Sequence, residues 1–145
     1  MEKANQKLES LKMLWEAKRS GRAMPSRAEF DVFELRPWLG NLALIDLAEA
    51  GGGRFRLCGV GLFIRFAGDK TGCRMADLCG EYYESFRAII ARAQDMGAPV
   101  EDRHSAIIEG WRITFDELVL PLSGDGTRPT TLLFASYKTN LERTW

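Results

Sequence analysis

The stretch VEDRHSAIIEGWRITFDELVLPL, residues 100–122, decides the fold of this chain. It contains two runs rich in β-branched, aromatic and leucine side chains, and the Glu109-Gly110 pair between them is typical of a hairpin turn. A further run of the same kind follows the turn sequence Ser123-Gly124-Asp125-Gly126. The three predicted strands cover residues 100–108, 111–122 and 130–137. We therefore expect the last third of the chain to form consecutive antiparallel strands.

In the middle run, residues 111–122, the apolar side chains switch from odd-numbered to even-numbered positions. Side chains of a strand point alternately to opposite faces of the sheet. The apolar residues are Ile113 and Phe115 on one face and Leu118, Leu120 and Leu122 on the other. This change predicts a bulge or bend near Asp116-Glu117. The same alternation directs the two neighbouring carboxylates to opposite faces, so we do not expect them to act as an acid-base pair.

Two shorter β-runs, residues 41–48 and 54–60, flank the flexible turn Gly51-Gly52-Gly53 and predict another hairpin. Between the hairpins the period becomes helical, first over residues 61–67 and most clearly over residues 81–96. The order of elements therefore predicts an α+β fold. In that fold one antiparallel sheet carries helices on one face, and a further helix precedes the sheet.

The first residues predict an amphipathic helix that ends near Ser20-Gly21. Its apolar stripe consists of Leu8, Leu11, Leu14 and Trp15. Such a narrow stripe suits either a seam with a second copy of the chain or a face that caps its own sheet, and both alternatives stay open. We divide the chain into this helix, residues 1–23, and a domain over residues 24–145.

Composition excludes several classes of function. The chain has 145 residues, and 20 Lys and Arg residues balance 20 Asp and Glu residues, so it lacks the basic footprint of a nucleic-acid-binding protein. No apolar run is long enough for a membrane span and no signal peptide is recognisable, so we expect a cytoplasmic location. Cys58, Cys73 and Cys79 lack disulfide or zinc spacing, and we expect reduced thiols and no metal.

Several short motifs, taken in order, carry a resemblance to a known family. They are Trp15 with Gly21-Arg22, MPSRAEF (24–30), LRPWLGN (35–41), FRLCGV (55–60), FAG (66–68), Thr71-Gly72, GAPV (97–100) and ELVLPL (117–122). Together they resemble a PAS domain, and more narrowly a short bacterial PAS-like family that stands alone. The resemblance implies a five-stranded antiparallel sheet in the order 2-1-5-4-3. It also implies a sensor of small ligands or protein partners that is not an enzyme, often dimeric through a helix before the first strand.

In such a fold a ligand pocket would lie between the sheet and the long helix. The candidate lining residues are Leu57, Phe63, Phe66, Met75, Leu78, Phe86, Ile90, Phe115 and Leu133. The competing interpretation is that these side chains simply fill the core, which is the more common arrangement in a domain of this size.

We expect neither haem nor flavin. His104 is the only histidine, and it falls on a predicted strand rather than on the long helix. The sequence Thr71-Gly72-Cys73-Arg74 only partly resembles the cysteine motif of light-sensing PAS domains, and no Asn or Gln occurs between Pro99 and Thr139. A small organic ligand of unknown identity stays possible.

The sequence therefore predicts a non-catalytic sensory or regulatory module. It would bind a small apolar or amphipathic ligand, a signalling protein partner, or both, and it would form a homodimer through the first helix. The alternative is a small cone-shaped α+β enzyme of the isomerase or dehydratase type. That fold would need its helices mostly before the sheet, and a buried Asp or His at the base of its pocket.

Overall fold

The computed structural model describes residues 4–47 and 52–145. Its five strands form one antiparallel sheet in the order β2-β1-β5-β4-β3, so the predicted topology is confirmed. The strands are β1 (Leu42–Asp46), β2 (Arg54–Cys58), β3 (Val100–Ile108), β4 (Trp111–Leu122) and β5 (Thr131–Arg143). The predicted end of the first strand at Ala48, and Gly51 of the glycine turn, lie outside the described residues.

Four α-helices accompany the sheet. They are α1 (Ala4–Arg19), α2 (Val32–Leu35), α3 (Phe63–Phe66) and α4 (Glu84–Met96). The predicted long helix thus begins as a 3-10 turn over Glu81–Tyr83 and becomes α-helical at Glu84. Gly97 ends it in the left-handed conformation (φ 58°), which glycine adopts without the steric cost of a side chain.

Apolar side chains cover both faces of the sheet. The α4 face packs against α3 and α4 through residues that include Ile45, Phe55, Phe66, Phe86, Ile90, Val119 and Phe134. The opposite face, which we call the α1 face, packs against α1 and the connector after it through Leu8, Leu11, Trp15, Phe30, Leu35, Leu118, Leu120, Leu122, Leu133 and Ala135. The helix that precedes the sheet therefore lies on the face opposite to the other long helix.

Two bulges change the direction of side chains in the sheet. Leu44 pairs with Leu57 and Ile45 pairs with Phe55, so Arg56 is an extra residue in β2. The second bulge lies between Thr114 and Phe115 of β4 and leaves Thr139 as an extra residue in β5. The bulge predicted in β4 near Asp116-Glu117 is therefore wrong, because β4 pairs with β3 in unbroken register and the extra residue lies in β5. The change in the apolar pattern of β4 results instead from burial of both faces in its second half.

Strand β5 is longer than the sequence pattern predicts. Its apolar character stops at Tyr137, yet pairing with β4 continues to Arg143, opposite Trp111. The last six residues of the strand are exposed. They are ordered by backbone hydrogen bonds and cross-strand contacts rather than by burial, and hydrophobic periodicity does not report such contacts.

Candidate functional site

Most of the predicted lining residues meet between the sheet and α4. The residues in this cluster are Phe66, Met75, Leu78, Phe86 and Ile90, and Phe63 packs against it while partly exposed. Phe115 is also buried and lies under the guanidinium of Arg65, 5.8 Å from the ring centroid, at the β3 side of the sheet. Seven of the nine predicted residues thus belong to the α4 face.

Leu57 and Leu133 lie elsewhere, which corrects the prediction for both. Leu57 is 36% exposed, because the bulge at Arg56 reverses the alternation of β2 and turns Cys58 inward instead. Leu133 is buried on the α1 face, whereas its neighbours Leu132 and Phe134 face α4. Sequence alternation does not separate the faces of β5, because apolar side chains cover both.

Four phenyl rings fill the centre of this interface. Phe55, Phe66, Phe86 and Phe134 are fully buried, and their ring centroids lie 4.9–5.8 Å apart in edge-to-face, tilted and stacked pairs. These separations are typical of aromatic pairs in direct contact. The interpretation that the predicted lining residues form a packed core therefore describes the centre of the α4 face.

A surface groove of about 230 Å³ borders this core beside α4. Its lining residues are Gly52, Met75, Ala76, Arg87, Ile90, Ala91 and Gln94. Met75 and Ile90 therefore connect the groove to the buried cluster. The Arg87 guanidinium donates to the carbonyl oxygens of Leu78 (2.6 Å) and Gly80 (3.2 Å). These hydrogen bonds hold the positive charge of Arg87 beside the apolar side chains that line the groove.

A buried ion pair joins α3 to the centre of the sheet, and sequence reasoning missed it. Arg65 and Glu117 are each 2% exposed. Arg65 Nε donates to Glu117 Oε2 at 2.7 Å, and its Nη2 donates to Oε1 at 3.2 Å. The Ser136 hydroxyl donates to Oε2 at 2.6 Å. Bidentate contact with these added hydrogen bonds is the geometry that a buried charge pair needs to offset its desolvation.

One sequence signal points to this pair. Arg65 stands among the apolar residues Phe63, Ile64 and Phe66, and Glu117 opens the apolar run of β4. Each charge borders apolar residues where the pattern requires burial, and buried charges are paired. The partner itself was not predictable, because the two residues are 52 positions apart.

The pair continues through Ser85 to His104. Arg65 Nη2 lies 3.3 Å from Ser85 Oγ, and Ser85 Oγ lies 3.4 Å from Nε2 of His104. Burial lowers the pKa of His104, and the nearby positive charge of Arg65 lowers it further, while Glu117 and Asp102 oppose the shift. The neutral form of the imidazole is therefore favoured at this position.

The predicted partner helix residues are covered by their own sheet. Leu8, Leu11 and Trp15 are buried, and Leu14 packs against the same cluster while partly exposed. Trp15 Nε1 donates to the carbonyl oxygen of Pro121 at 2.7 Å. In the structure this apolar stripe covers the sheet of its own chain. A seam with a second copy through the same side chains would require α1 to leave the sheet. The predicted boundary between the helix and the domain at residue 23 stays a prediction.

Cys58, Cys73 and Cys79 are free thiols, and burial raises the pKa of Cys58. Within residues 4–47 and 52–145, no three His, Cys, Asp or Glu side chains are grouped as a metal site would need. In the same part of the chain, every helix is too short or too polar to cross a bilayer.

Comparison with known proteins identifies one family. Residues 3–134 match the sequence profile of the family described as PAS domain. No curated protein sequence matches the chain. Among the described residues, α1 and α2 precede the sheet, and α3 and α4 lie between β2 and β3.

Solved structures with this fold include three LOV proteins. A Rhodobacter sphaeroides LOV protein has a TM-score of 0.50 at 16% identity, and the match covers 74% of this chain and 67% of that one. A light-oxygen-voltage domain studied with a flavin analogue has a TM-score of 0.55 at 14% identity, covering 75% and 84%. The light state of the blue-light photoreceptor Aureochrome1 LOV has a TM-score of 0.52 at 14% identity, covering 75% and 88%. At identities this low, the structural similarity shows a shared fold and nothing more.

These neighbours correct our expectation about cofactors. We expected no flavin because a cysteine motif and amide side chains are missing, yet the similar structures are LOV domains, one of them studied with a flavin analogue. The fold therefore persists without the motifs on which that expectation rested. In the described residues the four phenyl rings fill the space between the sheet and α4, and no residue is assigned to a flavin.

Proposed function

The chain belongs to the PAS domain family, and from this premise we propose that it is a non-catalytic sensory module. In this proposal a change on the α4 face of the sheet is passed through β4 to α1, which delivers the signal. Any ligand that drives such a change must bind one arrangement of the module more tightly than the other.

The observation that carries the proposal is the double packing of β4. Glu117 and Val119 face α3 and α4, whereas Leu118 and Leu120 lie under α1. The carbonyl of Pro121, in the same strand, accepts the Trp15 indole hydrogen bond. Because neighbouring residues of one strand contact the two helical layers, a displacement on one face moves the residues that hold the other.

We propose that the ligand is a small amphipathic molecule that binds in the groove beside α4. The apolar side chains of Met75 and Ile90 would contact its apolar part, and the Arg87 guanidinium would attract an anionic group. A ligand seated there touches side chains of the buried cluster on which β4 packs, so binding and the proposed signal share residues.

The proposed output is contact between α1 and a protein partner, a second copy of this chain included. Release of α1 would expose its apolar stripe, which suits pairing with another helix. We also propose that the module works in the cytoplasm of a bacterial cell. Its three unpaired thiols support a reducing compartment.

A titration with 1-anilinonaphthalene-8-sulfonate, an anionic amphipathic probe, tests the ligand site. We expect a saturable rise in probe fluorescence with the folded protein. Ala91→Glu places a carboxylate at the groove and should weaken binding by at least tenfold. Ala88→Glu, on the exposed side of the same helix, serves as the matched control and should bind like the parent. Equal binding by both variants would contradict the proposed site.

A further inference from the structure

The only histidine of the chain connects the edge of the sheet to the start of α4. His104 lies on the edge strand β3 and is half-buried. Its ring stacks on Phe115 with a centroid distance of 6.4 Å and an interplanar angle of 15°. Its Nε2 faces the hydroxyl of Ser85, the second residue of α4, at 3.4 Å. The imidazole is thus held between a ring of β4 and the first turn of a helix.

The direction of the hydrogen bonds depends on the charge of His104. A guanidinium has donors only, so Ser85 Oγ must accept from Arg65 Nη2. The one hydrogen of the serine hydroxyl is then available to Nε2, which accepts it in the neutral tautomer that carries its proton on Nδ1. A protonated ring would instead donate to the same oxygen, placing a second cation beside the guanidinium of Arg65.

The surrounding charged groups do not offset the repulsion between a protonated His104 and the guanidinium of Arg65. Glu117 of β4 is already occupied by Arg65 and Ser136. Asp102, two residues away on β3, pairs with Arg92 of α4 at 3.5 Å. Lys138 of β5 is in register with Phe115 and adds another positive charge on the far side of β4. The two carboxylates that favour the protonated form of His104, Glu117 and Asp102, are therefore each already paired with an arginine.

The 3-10 turn that leads into α4 is hydrogen-bonded to α3. The Tyr82 hydroxyl donates to the carbonyl oxygens of Ile64 (3.1 Å) and Arg65 (2.9 Å), and the Tyr83 hydroxyl donates to that of Phe66 (2.9 Å). The Arg65–Glu117 pair and the Ser85–His104 hydrogen bond join this unit to the sheet, and the Arg92–Asp102 pair joins a later turn of α4 to β3. Loss of the Ser85–His104 contact would weaken the attachment at the first turn of α4 and leave the Arg92–Asp102 pair in place.

We propose that His104 and Ser85 form a proton-sensitive contact, in which protonation of the imidazole releases the start of α4 from β3. The effector would be the proton itself, so the module would respond to a fall in pH. This inference does not depend on the ligand groove, which lies at the other side of α4 and is tested separately.

The sign of the pH effect follows from the favoured neutral form. The pKa of His104 lies below its ordinary value of 6.5, so the unfolded chain takes up a proton before the folded one does. The stabilising contribution of neutral His104 to the free energy of unfolding is therefore fully present above pH 6.5. It decreases as the pH falls toward the folded pKa, and below that value it stays constant.

Nuclear magnetic resonance tests the proposal on the full chain, because one histidine gives one imidazole signal. We expect this signal to titrate below pH 6.5, and the amide signals of Ser85 and Phe86 to follow with the same midpoint. In His104→Gln, which keeps an acceptor but does not titrate, those amide shifts should disappear. Amide shifts that persist in His104→Gln would overturn the proposal.

Two serine variants complete the test. Ser85→Ala removes the donor to neutral His104 and should raise the imidazole midpoint toward 6.5. Ser105→Ala removes an exposed hydroxyl of the same strand that bonds to Thr114 Oγ1, and should leave the midpoint unchanged. Equal midpoints in Ser85→Ala and the parent would also overturn the proposal. Both substitutions are small, so each variant is expected to fold.

Discussion

At the residue scale, the buried pair of Arg65 and Glu117 differs from the ion pairs on the surface. Removing one partner leaves an uncompensated buried charge, whereas an exposed pair is already screened by water. Glu117→Gln should therefore lower the free energy of unfolding by about 3–5 kcal/mol. Urea denaturation measures this loss.

The surface pair of Arg103 and Asp116 provides the control for that prediction. Arg103 Nε donates to Asp116 Oδ1 at 2.7 Å, as short as the buried contact, but the side chains of Arg103 and Asp116 are 71% and 17% exposed, against 2% for each partner of the buried pair. Asp116→Asn should change the free energy of unfolding by about 1 kcal/mol or less. Similar losses in the two variants would show that burial of the Arg65–Glu117 pair has no special effect on stability.

The phenyl rings of the α4 face make a second prediction at this scale. Phe86 contacts Phe55, Phe66 and Phe134 and is fully buried, so Phe86→Ala should cost about 3–5 kcal/mol in a thermal or urea unfolding experiment. Phe33→Ala, at a ring that is 76% exposed, should stay within about 0.5 kcal/mol of the parent. A loss below about 2 kcal/mol for Phe86→Ala would indicate spare volume around the ring, as in a ligand cavity.

At the element scale, α1 packs on the sheet and belongs to the same folded unit. Leu11 is fully buried against the α1 face, so Leu11→Ala should lower the free energy of unfolding by about 2–5 kcal/mol. Met13→Ala, on the exposed side of the same helix, should change it by about 0.5 kcal/mol or less. If the stripe were instead a seam between copies, the midpoint of unfolding would depend on protein concentration, which light scattering and dilution would reveal.

How much of this fold the sequence predicts depends on the element. Strands β3 and β4 match the predicted bounds, because a glycine turn separates two strongly patterned runs. The extra residue Arg56 of β2 was not visible in the pattern, and it reversed the assignment of Leu57. Leu133 was misplaced for a different reason, since a strand that is buried on both faces carries no alternation. The contacts of Arg65 and His104 depend on the tertiary fold, which local periodicity does not contain.

At the scale of the whole molecule, one sheet separates two differently built layers. The α4 layer contains the aromatic cluster, the groove and the Arg65–Glu117 pair. The α1 layer is a capping helix held by apolar contacts and by two indole hydrogen bonds, from Trp15 to Pro121 and from Trp38 to Lys7. The central claim is that these layers are coupled through β4. It requires that an event at the groove be detectable at Trp15, on the other side of the sheet.

Fluorine magnetic resonance of protein labelled with 5-fluorotryptophan tests this coupling most directly. Trp15→Phe identifies the Trp15 signal, and Trp145, which packs on Trp111 at the tip of the β3–β4 hairpin, is the internal control. At saturating 1-anilinonaphthalene-8-sulfonate, we predict that the Trp15 signal shifts, that the Trp145 signal does not, and that Ala91→Glu abolishes the shift. Binding of the probe at the groove with no change at Trp15 would contradict the account.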